Sequence, residues 1–552
     1  MYYSGTYTVE VDIDRGIYAQ DEMLSLLMNT TLTGNSNHVG TSVTPKLYST
    51  SQMLEDINFE VPQEKISWES ADETIVKVLN GALVSVNSGD TYVTASTEYG
   101  DIELPVRVSY PIYSAEDLDF LSKVSYTEDK AKAQKYMDYN YIFMNDIDYA
   151  SHTRNYILPI ASFNHGYNFS VQEGTQWKNI VHLGKNDAHT SYFSFAWKEI
   201  LGLTEGGNDT DGRYLTNADG SKFTGVNPNS IWFTGRLDGN GYAIKNAWYM
   251  WDNYFGTTGG NVLFAVAGSF VGLNRGVIEN IEMDVKTPNN FVVENNGKYT
   301  QGGKTENNAN KTLGRIYNGK NLLCVDGTTA RGMTANYGTN SGNIQVKASE
   351  SAFVMINSNT VQNIYYSVTV NGTHNGNAAT NVSGGFVLVN TANIKDSVVN
   401  RYIENNEYNH IANYNYALVG MNKPSSYKVQ CPNGVWINAE NYGGNITGCY
   451  TLVSSTTEYK KLTTHASQEF TIDNMRVAYC KADADTAETD ATSKKVYATL
   501  YKGDSNNPYA YFTAEWADMI ADAKTNGNLK ENVWAIDNTA NTVGLKNGIV
   551  SF

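Results

Sequence analysis

Residues 270–280 read FVGLNRGVIEN, and the same frame returns as FVMINSNTVQN at 353–363 and as FVLVNTANIKD at 386–396. Each copy begins with Phe, carries Asn four positions later and a β-branched residue eight positions later, and ends on Asn or Asp. A fourth copy is split by an insertion, with Leu418 and Asn422 before it and residues 445–448 after it. The repeat predicts a coil that turns on asparagine and stacks short strands.

Stacking the copies brings equivalent side chains into columns. The spacing between copies is irregular, so insertions are expected to leave the stack near residues 161–230, 287–350 and 423–443. The aromatic positions predict an internal stack of Phe270, Phe353, Phe386 and Leu418. The asparagines predict a structural ladder in which each amide caps the backbone of the next rung; its members are Asn274, Asn357, Asn390 and Asn422.

The sequence of the N-terminal part of the chain predicts a separate β-domain. At 552 residues the chain is too long for one compact core. Residues 1–110 alternate apolar and polar side chains, with Asn80-Gly81 as a hairpin signal and Trp68 as an expected core residue. On its W-x-S tripeptide, valine-rich strand and Asn-Gly turn, this segment resembles the bacterial group 2 immunoglobulin-like domain. The resemblance implies a β-sandwich over residues 1–110.

A second resemblance covers the remainder. A short helix beginning after Ser114 is followed by NDID at 145–148, by FTGRLDGNGYAIKN at 233–246 and then by the repeated frame. In this order the motifs resemble the GLUG-motif β-solenoid proteins of bacterial surfaces. The resemblance implies an all-β chain whose residues 111–552 form an irregular right-handed β-solenoid with long loop insertions and short capping helices.

The first helix and the C-terminal end are expected to cover the open ends of the stack. Leu118, Leu121 and Val124 fall on one face of the first helix. Near the end of the chain, Thr513 is predicted to cap a helix that Gly527 ends, with Trp516, Met519 and Ile520 facing inward. Two strands at residues 533–536 and 543–545 would then finish the stack.

The amino-acid composition favours some classes of protein and argues against others. Hydrophobic residues make up 41% of the chain and charged residues only 18%, a balance typical of extracellular or virion β-proteins. The net charge of −17 argues against a nucleic-acid partner, because phosphate binding needs patches of Lys and Arg. No apolar run approaches the roughly 20 residues that cross a bilayer, so no membrane span is expected.

The start of the chain and its cysteines bear on the compartment. Met1 leads straight into strand-like sequence without the basic and apolar regions of a secretion signal. This favours a phage virion protein over a secreted protein that has lost its leader. Buried thiols are expected, with a Cys431–Cys449 disulfide as the alternative, since C-x-x-C spacing is lacking among Cys324, Cys431, Cys449 and Cys480.

The best candidate metal ligands are Asp209, Asp211 and Asp219, where Asp and Asn alternate around Gly. No Glu follows at the spacing of an EF-hand, so a polar loop is the alternative. Structural Ca²⁺ would be the only cofactor. The loop Asp238-Gly239-Asn240-Gly241 is too short for a complete oxygen cage and predicts a tight turn.

A catalytic constellation is not evident. Asp146 and Asp148 share one strand face and could form an acid–base pair, but bonds to turn amides are the favoured interpretation. The eight histidines do not cluster, and no nucleophile elbow, P-loop or dinucleotide motif stands in a convincing context. The chain is therefore predicted not to be an enzyme.

Aromatic density gives the remaining functional hint. Residues 248–255 hold more aromatic side chains than one strand can turn inward. Because sugar faces stack on exposed rings, the candidate glycan-binding residues are Trp248, Tyr249, Trp251 and Tyr254. The alternative is an interface between protomers or with the neighbouring insertion.

Together these features predict a phage virion protein, a fibre, spike or capsid decoration that contacts the bacterial surface. Its expected partners are other virion proteins or bacterial surface glycans. A homo-oligomer such as the trimer of many viral fibres is a further expectation, although the residues do not fix its symmetry. One alternative is a bacterial adhesin, extracellular at the cell surface. The other is a polysaccharide-degrading spike enzyme, which needs two carboxylates roughly 5–10 Å apart in an exposed groove. The argument rests on analogy of fold.

Overall fold

The described part of the chain is built mainly of β-strands, and the chain divides into two compact units, as seen in a computed structural model. The first unit comprises Met1–Ile112, Tyr139–Ile142 and Val550–Phe552, and the second comprises Tyr113–Asp138 and Phe143–Ile549. The structure describes residues 15–34, 38, 40–51, 54–125, 127, 129–150, 152, 156–157, 159–161, 170–173, 176–179, 204–209, 212–216, 219–221, 231–249, 252–255, 262–266, 269–286, 298–301, 304–307, 315–317, 320–322, 334–337, 344–347, 352–370, 381–384, 386–403, 415–416, 419–422, 428–430, 436–438, 445–454, 472–473, 476–479, 500–502, 523–524, 527–537, 539, 542–550 and 552.

The first unit is built from three small sheets around one apolar core. Pairing is antiparallel except where Leu24–Leu27 runs parallel to Gly100–Ile112. Buried side chains such as Leu26, Val93 and Val106 form the core. The strands are Arg15–Ala19, Leu24–Leu27, Ser42–Val43, Leu47–Ser51, Leu54–Glu60, Ser67–Ser70, Val76–Leu79, Ala82–Ser85, Gly89–Thr97 and Gly100–Ile112, with a 3-10 turn at Gln63–Lys65.

The predicted hairpin at Asn80-Gly81 is confirmed. Val76–Leu79 pairs antiparallel with Ala82–Ser85, and the two turn residues have φ of 53° and 81°. Positive φ at both positions is what a two-residue hairpin turn of type I′ requires, which explains the Asn-Gly pair. Trp68 packs against the apolar core but is only half-buried.

The second unit contains a stack of parallel strands. Four strands form one sheet, here named the Asn sheet: Ser269–Asn274, Ala352–Asn357, Val387–Asn390 and Val419–Asn422. A second parallel ladder, here named the long sheet, consists of Ile147–Asp148, Tyr156–Ile157, Arg236–Asp238, Ala243–Tyr249, Val277–Lys286, Thr360–Val370, Asn393–Lys395, Val398–Ile403, Asn445–Thr447, Tyr450–Ser454, Ile472–Asp473, Arg476–Tyr479 and Leu500–Lys502.

Register aligns the repeats as the sequence predicts. Val271 pairs with Val354, and Val354 with Val387, while Ile278 pairs with Val361, and Val361 with Ile394. All of these side chains are fully buried. Each buried Ile or Val contributes roughly 1.5–3 kcal/mol relative to exposure, so the columns between the two sheets are the core of the stack.

Further strands leave the stack, most of them within the expected insertions; four lie outside those ranges, namely Asp252–Phe255, Val262–Val266, Asn381–Gly384 and Asn415–Tyr416. They include one six-stranded sheet to which two of the insertions contribute, because Ile344 pairs with Val429. These strands are Ser170–Glu173, Gln176–Asn179, Thr204–Asp209, Gly212–Thr216, Asp252–Phe255, Val262–Val266, Lys298–Gln301, Lys304–Asn307, Arg315–Tyr317, Lys320–Leu322, Thr334–Tyr337, Ile344–Lys347, Asn381–Gly384, Asn415–Tyr416, Lys428–Gln430 and Trp436–Asn438.

Two α-helices, Ala115–Ser125 and Lys130–Met137, follow the strand Gly100–Ile112 in sequence, and the strand Asn140–Phe143 comes after them. The first helix is as predicted, since Leu118, Leu121 and Val124 are buried. The Asp117 carboxylate accepts hydrogen bonds from the amides of Tyr113 and Ser114, just before the helix, as in a capping box. The second helix was not predicted. Neither of these two described helices is long and apolar enough to cross a membrane.

The C-terminal end differs from its prediction. Trp534–Asp537 and Thr542–Leu545 pair antiparallel with each other and pack against the side of the stack, instead of continuing its parallel ladder. Gly527 has φ of 69°, and the Asn528 amide donates to the Ala523 carbonyl, which is the glycine helix end that the sequence predicts. Thr513, Trp516, Met519 and Ile520 lie outside the described residues.

Candidate functional site

The asparagine ladder is confirmed at its first three members. The Asn274 amide nitrogen donates to the Asn357 side-chain oxygen at 2.8 Å, and that of Asn357 donates to the Asn390 oxygen at 2.8 Å. All three residues are fully buried. The register places Asn422 opposite Asn390, and the side chain of Asn422 lies outside the described ones. The ladder runs along the stack and links consecutive rungs.

The amides of Asn274 and Asn357 also cap the backbone of the next rung, as predicted, whereas the Asn390 amide donates to the Ala392 carbonyl in its own rung. Asn357 Nδ2 lies 3.0 Å from the Asn393 carbonyl of the next rung, and Asn274 Nδ2 lies 3.3 Å from that of Thr360. The oxygen of Asn274 accepts from the Gly276 amide at 3.0 Å, inside its own turn. A buried amide without partners costs about 1–3 kcal/mol, so these bonds specify Asn at the corner between the two sheets.

An aromatic column lies beside the ladder. Phe270 and Phe353 have ring centroids 5.4 Å apart, and so do Phe353 and Phe386, while Tyr366 packs 5.6 Å from Phe353. These rings are fully buried, and their offset packing is favourable beyond the area it buries. The predicted stack is confirmed for the three phenylalanines; Leu418 lies outside the described residues.

A second polar column occupies the turns of the long sheet. Asn280, Asn363 and Asp396 have φ of 56°, 53° and 45°, a left-handed conformation that Asn and Asp tolerate better than other side chains. Asn363 Nδ2 donates to Asn280 Oδ1 at 3.0 Å, and Asn280 Nδ2 donates to Asp238 Oδ1 at 3.0 Å. The final Asn or Asp of the repeat is therefore a turn residue that also links rungs.

Two carboxylates meet within the stack, in a group here named the Asp238 cluster: Asp238, Glu279, Arg236 and Gln362. Glu279 accepts from the Arg236 guanidinium and from Gln362 Nε2 at 2.6 Å. Asp238 accepts from the Asn240 amide at 2.7 Å. Both carboxylates are buried. Burial, reinforced by the neighbouring charge of Glu279, raises the pKa of Asp238 to about 7.

The Asp238 cluster was missed by sequence reasoning. Asp238 was assigned only to a tight turn, which is confirmed: Asn240 and Gly241 have φ of 51° and 79°. Glu279 was not singled out, because its partners come from other copies of the repeat. The sequence contains one indication of the cluster: Arg236 lies two residues before Asp238. Both residues belong to a strand that has to align with Val277–Lys286, which carries Glu279. The cluster joins three rungs electrostatically.

Asp146 and Asp148 bond to turn amides, as favoured. Asp146 accepts from the Ala243 amide at 2.9 Å and pairs with Lys245. Asp148 accepts from Asn246 Nδ2 at 2.7 Å and from the Ala150 amide at 2.8 Å. These bonds, led by the one from Asn246, lower the pKa of Asp148. Both carboxylates hold turns in place.

The predicted metal site lies largely outside the described residues. Asp219 is exposed and accepts from the amide and hydroxyl of Ser221 at 2.9 and 2.6 Å, which is a polar turn. Asp209 ends a strand that pairs with Gly212–Thr216, and its side chain and the whole of Asp211 lie outside the described parts. Among described residues, no group of three acidic, His or Cys side chains could hold a metal.

The candidate glycan residues are placed only by their backbone. Trp248 and Tyr249 close the strand Ala243–Tyr249, and Tyr254 lies on Asp252–Phe255. Their side chains and Trp251 lie outside the description, so this prediction stays open.

Cys449 is a free, buried thiol that donates to the Thr447 carbonyl at 3.3 Å, and burial raises its pKa to about 12. The expectation of a buried thiol is confirmed at this position. The other three cysteines lie outside the described residues.

Comparison of the chain with models of protein families, with curated proteins and with solved structures finds no match in any of the three. The site has therefore to be interpreted from its own chemistry.

Proposed function

We propose that this chain is a phage virion protein, a fibre, spike or capsid decoration that attaches the particle to a bacterial surface and performs no catalysis itself. In this proposal the first unit is an immunoglobulin-like sandwich and the second an irregular right-handed β-solenoid of the GLUG-motif type. The observation that supports it best is the unbroken parallel register of the repeats, tied by the buried Asn274–Asn357–Asn390 ladder. Such a stack is a stiff scaffold with long lateral faces.

The chemistry of the carboxylates supports a scaffold. Those of Asp146, Asp148, Asp238 and Glu279 are each bonded to donors from other strands or turns. A catalytic carboxylate has to offer a free oxygen to substrate or water. Asp146 and Glu279 use both carboxylate oxygens in such bonds, and Asp148 and Asp238 use Oδ1.

Glycan recognition by Trp248, Tyr249, Trp251 and Tyr254 remains part of the proposal, with an interface between protomers as its alternative. The test is binding of the purified chain to arrays of bacterial surface polysaccharides. Loss of a bound glycan in Trp251→Ala, with an unchanged sedimentation coefficient, supports recognition. A change of oligomeric state in the same variant supports the interface.

The deciding experiment is proteomics and imaging of purified phage particles. A stoichiometric copy number in the particle supports a virion component, and that number separates a fibre from a decoration. Recovery from bacterial outer surfaces, with absence from particles, overturns the proposal in favour of an adhesin.

A further inference from the structure

The C-terminal segment crosses the side of the parallel stack. It is here named the clasp and consists of the described residues between Ala523 and Ile549. Its hairpin aligns Trp534 with Leu545 and Ile536 with Val543. Among the described strands, this hairpin forms a two-stranded sheet of its own and shares no β-ladder with the stack. The clasp is therefore attached by side chains and single hydrogen bonds.

Apolar side chains supply most of the attachment. Trp534, Val543 and Leu545 are buried in one cluster with Val398 and Tyr450, which belong to two consecutive strands of the long sheet. The cluster also contains Ala523, Leu529 and Val533, with Tyr365, Ile536 and Ile549 at its margin. A large buried aromatic ring against aliphatic neighbours is the usual centre of a binding surface.

Polar contacts also fix the position of the clasp along the stack. Asn528 Nδ2 donates to the Tyr450 hydroxyl at 3.2 Å. The Leu545 amide lies 3.4 Å from Glu282 Oε2, and the Gly548 amide donates to the Asn240 carbonyl at 2.9 Å. These stack residues belong to different rungs, so the clasp spans several rungs and returns to one of the earliest.

The contact between Leu545 and Glu282 joins parts of the chain that are far apart in sequence. Leu545 and Glu282 are separated by 263 positions. The twenty residues 503–522, which link the last described stack strand to Ala523, reach roughly 66 Å when extended, and roughly 48 Å with the helix predicted from Thr513. The link therefore does not dictate where the clasp sits, and the lateral surface itself has to select the clasp.

We propose that the lateral face formed by Glu282, Tyr365, Val398 and Tyr450 is a binding site for a β-hairpin, and that the clasp is its ligand in cis. The clasp is a separable element that locks the rungs in register once the end of the chain has been made. This inference is independent of the proposed function.

The test divides the chain between Asp522 and Ala523 and produces both pieces together, with an affinity tag on residues 523–552. The two pieces are expected to co-purify, and Trp534→Ala in the short piece is expected to weaken the complex at least tenfold. Ala535→Ser, at an exposed position of the same strand, is the matched control and should leave the complex unchanged. A short piece that elutes alone overturns the proposal.

The locking role is tested in the intact chain, in case the long piece fails to fold alone. Leu545→Asp is expected to speed hydrogen exchange at least tenfold in Val277–Lys286 and Val398–Ile403, because it places a charge in the apolar contact beside Glu282. Thr542→Asp, exposed on the same hairpin, should leave exchange unchanged. Unchanged exchange in Leu545→Asp overturns the role of the clasp as a lock.

Discussion

Asn274 and Asn357, 83 positions apart in sequence, are joined by a 2.8 Å hydrogen bond between two fully buried side chains. An asparagine can do this because its amide both donates and accepts, so identical residues form a continuous chain along the stack. The same bond defines the register, since a slip of one residue would turn every buried side chain to the other face. The ladder and the core thus specify the same alignment.

Replacing the middle ladder residue by its acid should be costly. Asn357→Asp keeps the acceptor for Asn274 but loses the donor to Asn390 and places a buried charge beside the Asn393 carbonyl. We expect at least about 2 kcal/mol of lost unfolding free energy, measured by urea unfolding. Asn80→Asp, in the exposed hairpin turn, is the control, because Asp-Gly serves a type I′ turn as well as Asn-Gly. Equal stability of the two variants would contradict the ladder's role.

The aromatic column predicts a large cavity effect. Phe353 lies between Phe270 and Phe386, 5.4 Å from each ring. Phe353→Ala should lower the unfolding free energy by about 3–5 kcal/mol, and calorimetry would show the shift. Phe59→Ala, at a ring that is 55% exposed, should change it by less than about 0.5 kcal/mol. A small effect at Phe353 would mean that the rings are not packed as described.

The left-handed turn predicts a difference between two substitutions at one position. Asn363→Gly and Asn363→Val both remove the bond to Asn280, but only glycine accepts φ of 53° without strain. The Val variant should be less stable than the Gly variant by roughly 1–2 kcal/mol. Thermal unfolding of the two variants side by side measures the difference. A Val variant as stable as the Gly variant would rule out this turn.

Asp238 predicts a pH dependence of stability. Its pKa is raised from 3.8 to about 7, so the folded state binds the proton more tightly than the unfolded state. Its contribution to stability is fully present below about pH 4 and is lost as pH rises to about 7. Across this window Asp238 should lower the unfolding free energy by roughly 2–4 kcal/mol.

The check is urea unfolding between pH 4 and 8. Asp238→Asn retains an oxygen for the Asn240 amide and should show a shallower decline than the parent chain. Some slope should remain, because burial also raises the pKa of Glu282 and of Asp396. Asp101→Asn, at an exposed carboxylate, should leave the slope unaltered. An Asp238→Asn variant as pH-dependent as the parent would refute the assignment.

Two glycines with the same backbone conformation allow the cost of backbone strain to be measured separately from the cost of a steric clash. Gly81 and Gly241 have φ of 81° and 79°, but a Cβ at Gly81 meets open space and one at Gly241 meets the Lys546 carbonyl of the clasp. Gly81→Ala should cost about 1 kcal/mol from the left-handed conformation alone. Gly241→Ala should cost clearly more and should speed proteolysis of the C-terminal segment. Equal costs would show that the clasp does not press on this turn.

The repeating features were predictable from the order of residues alone. Three features recur at fixed offsets: the ladder positions, the phenylalanine column and the turn residues. They recur because every rung has a corner with backbone groups to cap, an apolar core and a left-handed turn. The Asn80-Gly81 hairpin and the helix at Ala115–Ser125 were readable for the same reason, since a few neighbouring residues specify them.

The contacts between non-repeating residues could not be predicted and became evident only in the folded chain. Glu279 finds Arg236 and Gln362 from other rungs, Leu545 meets Glu282 across 263 positions, and the terminal hairpin lies on the side of the stack and not in its ladder. These contacts depend on the lengths of the insertions, because those lengths set which residues of successive rungs lie side by side. Insertion lengths follow no period in the sequence, whereas the residues that shape each rung recur at fixed offsets.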